Sequence, residues 1–230
     1  DVTLKGLNDF IQSIISSVIS REPYNWLICE GSSDKIYLDA YLKDKITNNK
    51  LRIVPVGGAK EVKRIYEHLY LAFEDLRNDI KGKVYLLVDT DSEFVDFETK
   101  DSFPNLSCKR IVNDDDTKET KLVNNQSNPK KQTDIEDVLN GKLFYRVLKE
   151  YRDSFPDLSF IDDDDDDKEE IPSYYALDLR PSEYKSLDDF FSKNRNNNKV
   201  IFAKSYVNAM DDSYIVPKWI NEINSFFETK

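Results

Sequence analysis

Trp26-Leu27-Ile28-Cys29-Glu30-Gly31-Ser32-Ser33-Asp34 is the stretch on which the fold turns. Its four leading apolar residues are too short a run for a buried helix. They pass directly into a Gly-Ser-Ser turn, so 26–29 reads as a strand covered on both faces. From Lys35 to about Leu42 the pattern becomes helical. The same unit then recurs: Arg52 to Val56 reads as a strand, Gly57-Gly58 as a turn, and Ala59 to about Leu76 as a helix with Val62, Ile65, Tyr66, Leu69 and Phe73 on one face. A third apolar run, Val84 to Val88, ends in Asp89-Thr90-Asp91. Wholly apolar strands alternating with helices predict an α/β fold with a small parallel sheet, right-handed crossovers, and functional loops gathered at the carboxyl ends of the strands.

On the amino-terminal side, Leu4, Leu7, Phe10, Ile11, Ile14, Ile15, Val18 and Ile19 recur at helical spacing and predict an amphipathic helix that Pro23 closes off. On the carboxyl-terminal side, Asn105 to Val112 reads as a fourth strand and Asn113 to Thr133 as an exposed polar loop. Asp134 to about Tyr151 reads as one helix, and Ser154 to Ser182 as an insertion. Short helices are expected at Leu187 to Ser192, Lys199 to about Met210 and Pro217 to Phe227.

Composition narrows the function. The chain of 230 residues is 39% hydrophobic and 12% aromatic, enough for a sizeable core. No stretch approaches the roughly 18 apolar residues that span a bilayer, and no secretory signal leads the sequence, so a cytoplasmic protein without a membrane partner is expected. Cys29 and Cys108 are too few for a disulfide framework or a four-cysteine zinc site. The single histidine, His68, removes mechanisms that need paired His ligands or a His base. A net charge of -11 argues against nucleic-acid binding through a broad basic surface, although Asp162 to Glu170, with six Asp, two Glu and one Lys, carries much of it as a solvated run. Pro129-Lys130-Lys131 is a thin basic patch, best read as solvated loop lysines.

The chemistry lies in the acids. Glu30 closes the first strand and Asp89 the third, so in a parallel sheet both emerge at one rim, joined by Asp91 and by Asp34 at the start of the following helix. Four such carboxylates, with only Lys35 near in sequence, repel one another unless a divalent cation neutralises them. Oxygen ligands suit Mg²⁺ or Mn²⁺, one ion or two. Each element has a plainer reading as well: Gly31 to Asp34 is also a turn with a helix-capping acid, and Thr133-x-x-Glu136 is also a capping box.

Strand-Glu30-Gly31-x-x-Asp34 together with Leu86-Leu87-Val88-Asp89-Thr90-Asp91 resembles the paired signatures of the TOPRIM domain. Val54-Pro55-Val56-Gly57-Gly58-Ala59-Lys60 resembles the second strand and turn of the OLD-family nuclease branch, and Thr133-Asp134-Ile135-Glu136-Asp137-Val138-Leu139 its additional acidic motif. The resemblance runs over 26–139 and implies a Rossmann-like TOPRIM core at 23–152. Around it stand an amphipathic helix at 1–22, an acidic insertion at 153–185 and a helical elaboration at 186–230. It further implies that Glu30, Asp34, Asp89 and Asp91 bind metal, that Asp134 and Glu136 complete a second metal site, and that Glu30 serves as general acid or base. A late catalytic lysine, Lys199 or Lys204, belongs to the same picture.

The implied activity is metal-dependent hydrolysis of DNA or RNA phosphodiesters by an endonuclease of bacterial anti-phage defence. No Gly-x-x-x-x-Gly-Lys-Ser/Thr loop is present, so an ABC-type ATPase would be a partner chain or a fused part. A non-catalytic module of the same fold, docking on a partner protein, is the competing expectation. A strand-passing or primer-synthesising enzyme is disfavoured by the absence of a cysteine cluster.

Overall fold

The computed structural model describes residues 2–89, 95–114, 116–117, 119–125, 132–162, 179–193 and 197–228. The strands are β1 (Asn25–Cys29), β2 (Leu51–Pro55), β3 (Val84–Val88), β4 (Leu106–Asp114) and β5 (Glu119–Asn124). They form one sheet in the order β2-β1-β3-β4-β5, parallel except for β5, which runs antiparallel to β4. The first helices are α1 (Val2–Ile19), α2 (Ser32–Tyr41), α3 (Lys43–Asn48) and α4 (Ala59–Asp75). They are followed by α5 (Gly141–Arg152), α6 (Pro181–Ser192), α7 (Asn197–Ala209) and α8 (Lys218–Phe226).

The two-residue period of the strands divides the core in two. Trp26, Ile28, Val84, Leu86 and Val88 face α1 and α4, where Ile11, Ile14, Val18, Val62, Ile65, Leu69 and Phe73 meet them. Leu27, Cys29, Tyr85 and Leu87 point the other way, into a larger core built with Leu38, Leu143, Phe144, Phe202, Tyr206, Trp219 and Ile223 from α2, α5, α7 and α8. Full burial of an aliphatic or aromatic side chain is worth about 1.5–3 kcal/mol, so both faces hold the sheet firmly.

Between β1 and β2 the chain crosses on the α2 face; between β2 and β3 it crosses on the α4 face and passes over β1. The loops leaving β1 and β3 therefore part at the carboxyl rim, the topological switch point where open α/β sheets take their ligands.

Three expectations need correction. The stretch 113–133 is not a loop throughout, because β5 forms a hairpin with β4. Thr120, buried on β5, donates to Asn113 Oδ1 at 2.7 Å, a polar cross-strand pair that leaves no apolar alternation to read. The stretch 134–151 is not one helix: a 3-10 turn at Ile135–Val138 stops before α5, whose amino terminus is capped by the Asn140 side chain accepting from the Leu143 N–H at 3.0 Å. The segment 154–182 is not all insertion, since Leu158 and Ile161 are buried in the larger core and α6 already begins at Pro181. Most of the acidic run, and Pro129-Lys130-Lys131, lie outside the described residues. Among the described residues no helix is long and apolar enough to cross a membrane.

Candidate active site

At the rim, the loop after β1 is tied to the loop after β2: the Gly57 N–H donates to the Glu30 carbonyl at 2.8 Å. Gly57 and Gly58 hold φ of 91° and 124°, a turn that side chains with a Cβ resist, and it leads bare backbone into the start of α4. The Glu30 carboxylate crosses from β1 to β3 and accepts the Asp89 N–H at 2.7 Å. Asp34 lies in the first turn of α2, 6% exposed, and accepts the Gly31 N–H at 2.7 Å and the Ser33 hydroxyl at 3.4 Å. The capping reading of Asp34 is thus correct, and the same carboxylate also lines the cleft with Glu30 and Asp89. This cleft has a volume of about 560 Å³, and a second hollow of about 300 Å³ continues it past Gly58 and Lys60.

The later acidic motif is joined to the site through Lys199. Lys199, on α7, places its ammonium 2.8 Å from Asp134 Oδ2 and 3.3 Å from Glu136 Oε2, and it too lines the cleft. The capping box lies one residue later than Thr133-x-x-Glu136: Asp137 accepts the Asp134 N–H at 2.8 Å, while Thr133 Oγ1 accepts the Asn113 N–H at 3.3 Å. Glu136, released from any capping duty, is 4% exposed, and neither of its oxygens has a hydrogen-bond partner within bonding geometry.

The carboxyl-terminal helices fix the turn that carries these acids. Tyr184 on α6 donates to Asp137. Trp219 Nε1 on α8 donates to the Val138 carbonyl at 2.7 Å, and the Asn140 N–H donates to Tyr206 Oη on α7 at 3.0 Å.

Electrostatics record an excess of acid. Burial raises the Asp89 carboxyl well above the usual range, and Asp34, Glu30 and Asp134 raise it further against the pull of Lys199. Burial also raises Asp34, opposed by its bond from Gly31 and by Lys199, while Asp134 adds to the rise. Glu136 is pushed up to about 7, chiefly by burial, and Asp137 to about 6 for the same reason. At Lys199 burial disfavours the charge, but Glu136 and Asp134 outweigh it and hold the ammonium protonated well above its ordinary range. Both acidic motifs therefore share one electrostatic site, in which the Lys199 ammonium is set against several carboxylates.

Lys35, the cation nearest in sequence, instead pairs with Asp39 along α2. Lys204 is exposed on α7 and does not line the cleft; five residues beyond Lys199, it projects about 140° around the helix. Asp91 lies outside the described residues. His68 is an exposed residue of α4 whose ring nitrogen meets the Arg64 carbonyl at 2.8 Å.

Sequence reasoning overlooked three residues. Asp137 had a readable signal in its D-x-x-D spacing from Asp134. Tyr184 and Asn197, the latter lining the cleft beside Lys199, had none, since only the tertiary fold brings them there.

The all-oxygen donor set and the two orphaned oxygens of Glu136 suit a hard divalent cation. Among the described residues, however, no three acidic side chains already converge into a ready cation cage. Comparison with protein-family models, curated proteins and solved structures returned no match, so motif and geometry alone carry the functional reading.

Proposed function

We infer that the chain is a TOPRIM-type, OLD-like nuclease domain that hydrolyses phosphodiester bonds of DNA or RNA with Mg²⁺ or Mn²⁺. The observation that carries this reading is that Glu30, Asp34, Asp89 and Lys199 line one cleft at the switch point of the sheet, with Asp134 and Glu136 paired to that lysine. Glu30, Asp34 and Asp89, with Asp91, would hold one cation, and Asp134 and Glu136 would hold a second. The bound metal supplies Lewis-acid polarisation of the phosphate and an activated water at neutral pH.

The protein's own groups do the rest. Glu30 exchanges a proton with the attacking or leaving oxygen. Lys199 faces the phosphate and offsets its growing negative charge. The Gly57-Gly58 turn admits the sugar-phosphate backbone closely, and the adjoining hollow past Lys60 receives a neighbouring nucleotide. Cations at the point of contact make a net charge of -11 tolerable for a protein acting on polyanions. By analogy with the branch it resembles, the domain works in anti-phage defence under an ABC-type ATPase, supplied as a partner or a fused part.

The test is incubation with plasmid DNA and with total tRNA in Mg²⁺ or Mn²⁺, with and without the product of the neighbouring gene, against an Asp89→Ala control. Cleavage by the wild type alone supports the reading and identifies the substrate. Equal cleavage by both proteins removes the site assignment, and silence from both favours a docking module or an absent activator.

A further inference from the structure

The ammonium of Lys199 stands between Asp134 and Glu136, 2.8 Å from one carboxylate and 3.3 Å from the other. A cation bridging those two acids would need the same space, because hard divalent ions sit about 2.0–2.6 Å from each carboxylate oxygen. Glu136, almost fully buried, has two oxygens with no hydrogen-bond partner, and Lys199 is the cation paired with it. The other acids of the cleft have different partners: Glu30 accepts the Asp89 N–H and Asp34 the Gly31 N–H. The direct ion pairs of Lys199 are to Asp134 and Glu136, so its competition with a divalent ion is strongest there.

Resting on the metal-dependent reading above, we propose that Lys199 is an internal competitor for the second cation: its ammonium occupies the Asp134–Glu136 position and swings into the cleft when a divalent ion takes its place. The first ion binds at Glu30, Asp34 and Asp89 and leaves the Lys199 pair in place. The second must break the lysine pair, and it enters most readily when a substrate phosphate in the cleft receives the released ammonium. Substrate and second metal thus bind cooperatively, which keeps the site singly loaded until nucleic acid arrives.

The test counts bound Mn²⁺ by electron paramagnetic resonance at fixed ionic strength, for the wild type, Lys199→Met, Lys199→Arg and Lys204→Met. Lys204→Met removes the same charge from the exposed side of the same helix. The wild type, Lys199→Arg and Lys204→Met should each bind one ion tightly and a second weakly. Lys199→Met should tighten the second by roughly ten- to a hundredfold. Equal second-ion affinity in Lys199→Met and Lys204→Met overturns the competition while leaving the metal reading intact. Absence of Mn²⁺ binding by every protein overturns both.

Should Lys199→Met fail to fold, the wild type provides the answer. The ¹⁵N-ammonium resonance of Lys199, assigned by its loss in Lys199→Arg, should shift as the second equivalent of Mg²⁺ binds. A resonance unmoved at saturation overturns the proposal.

Discussion

Replacing Glu136 by Gln tests whether the cleft is electrostatically overloaded. The substitution keeps shape and volume but removes a charge that is 4% exposed and ion-paired with Lys199 at 3.3 Å. With its carboxyl raised from an ordinary 4.5 to about 7, Glu136 contributes stability that is complete below about pH 4.5 and is lost as pH rises through about 7. At pH 8 the charged form costs about 3 kcal/mol relative to a group with no such shift. Glu136→Gln should then stabilise the chelated protein by up to that amount at pH 8, a rise in melting temperature of roughly 6–12 °C for a chain of this size. At pH 4.5 the two proteins should melt nearly together. Saturating Mg²⁺ should narrow or reverse the gap at pH 8, since only the wild type gains a full ligand set. Calorimetric melts in EDTA and in Mg²⁺ at both pH values measure this. A Glu136→Gln protein that melts lower than the wild type in EDTA at pH 8 would show the Lys199–Glu136 pair to be net stabilising and would refute the reasoning.

Three further outcomes are expected. Lys199→Ala should lower single-turnover cleavage about 10²- to 10³-fold, whereas Lys204→Ala, on the exposed side of α7, should leave it unchanged. Tyr184→Phe deprives the half-buried Asp137 of its hydroxyl partner and should cost about 1 kcal/mol in urea unfolding, with a fall in kcat as the acidic turn loosens. Gly58→Ala forces a Cβ onto a φ of 124° and should destabilise by about 1–2 kcal/mol, although nothing lies within 4 Å of the added atom; an unchanged unfolding midpoint would dispose of the strain argument.

The sheet was legible because its strands are short, apolar and bounded by turns: β3 occupies the expected 84–88, and Glu30 and Asp89 follow their strands directly. What escaped the sequence did so for identifiable reasons. Strand β5 lies at an edge and buries Thr120 against Asn113, so its pattern is polar. The break between the 3-10 turn and α5 is hidden because Ile135, Val138, Leu139, Leu143, Phe144, Val147 and Leu148 keep helical spacing across it, every one buried. Lys199 and Lys204 are equivalent by composition. Only the packing of α7 against α2 and α5 turns one toward the acids and the other to solvent.

Crystals soaked in Mn²⁺ would reveal whether the cleft lined by Glu30, Asp34 and Asp89 takes up a divalent ion. Anomalous scattering at the manganese edge should place an ion on the carboxylates of Glu30, Asp34 and Asp89, and Asp89→Asn should abolish the peak. A wild-type map with no manganese at these carboxylates, or with ions only at exposed surface acids, would contradict the account.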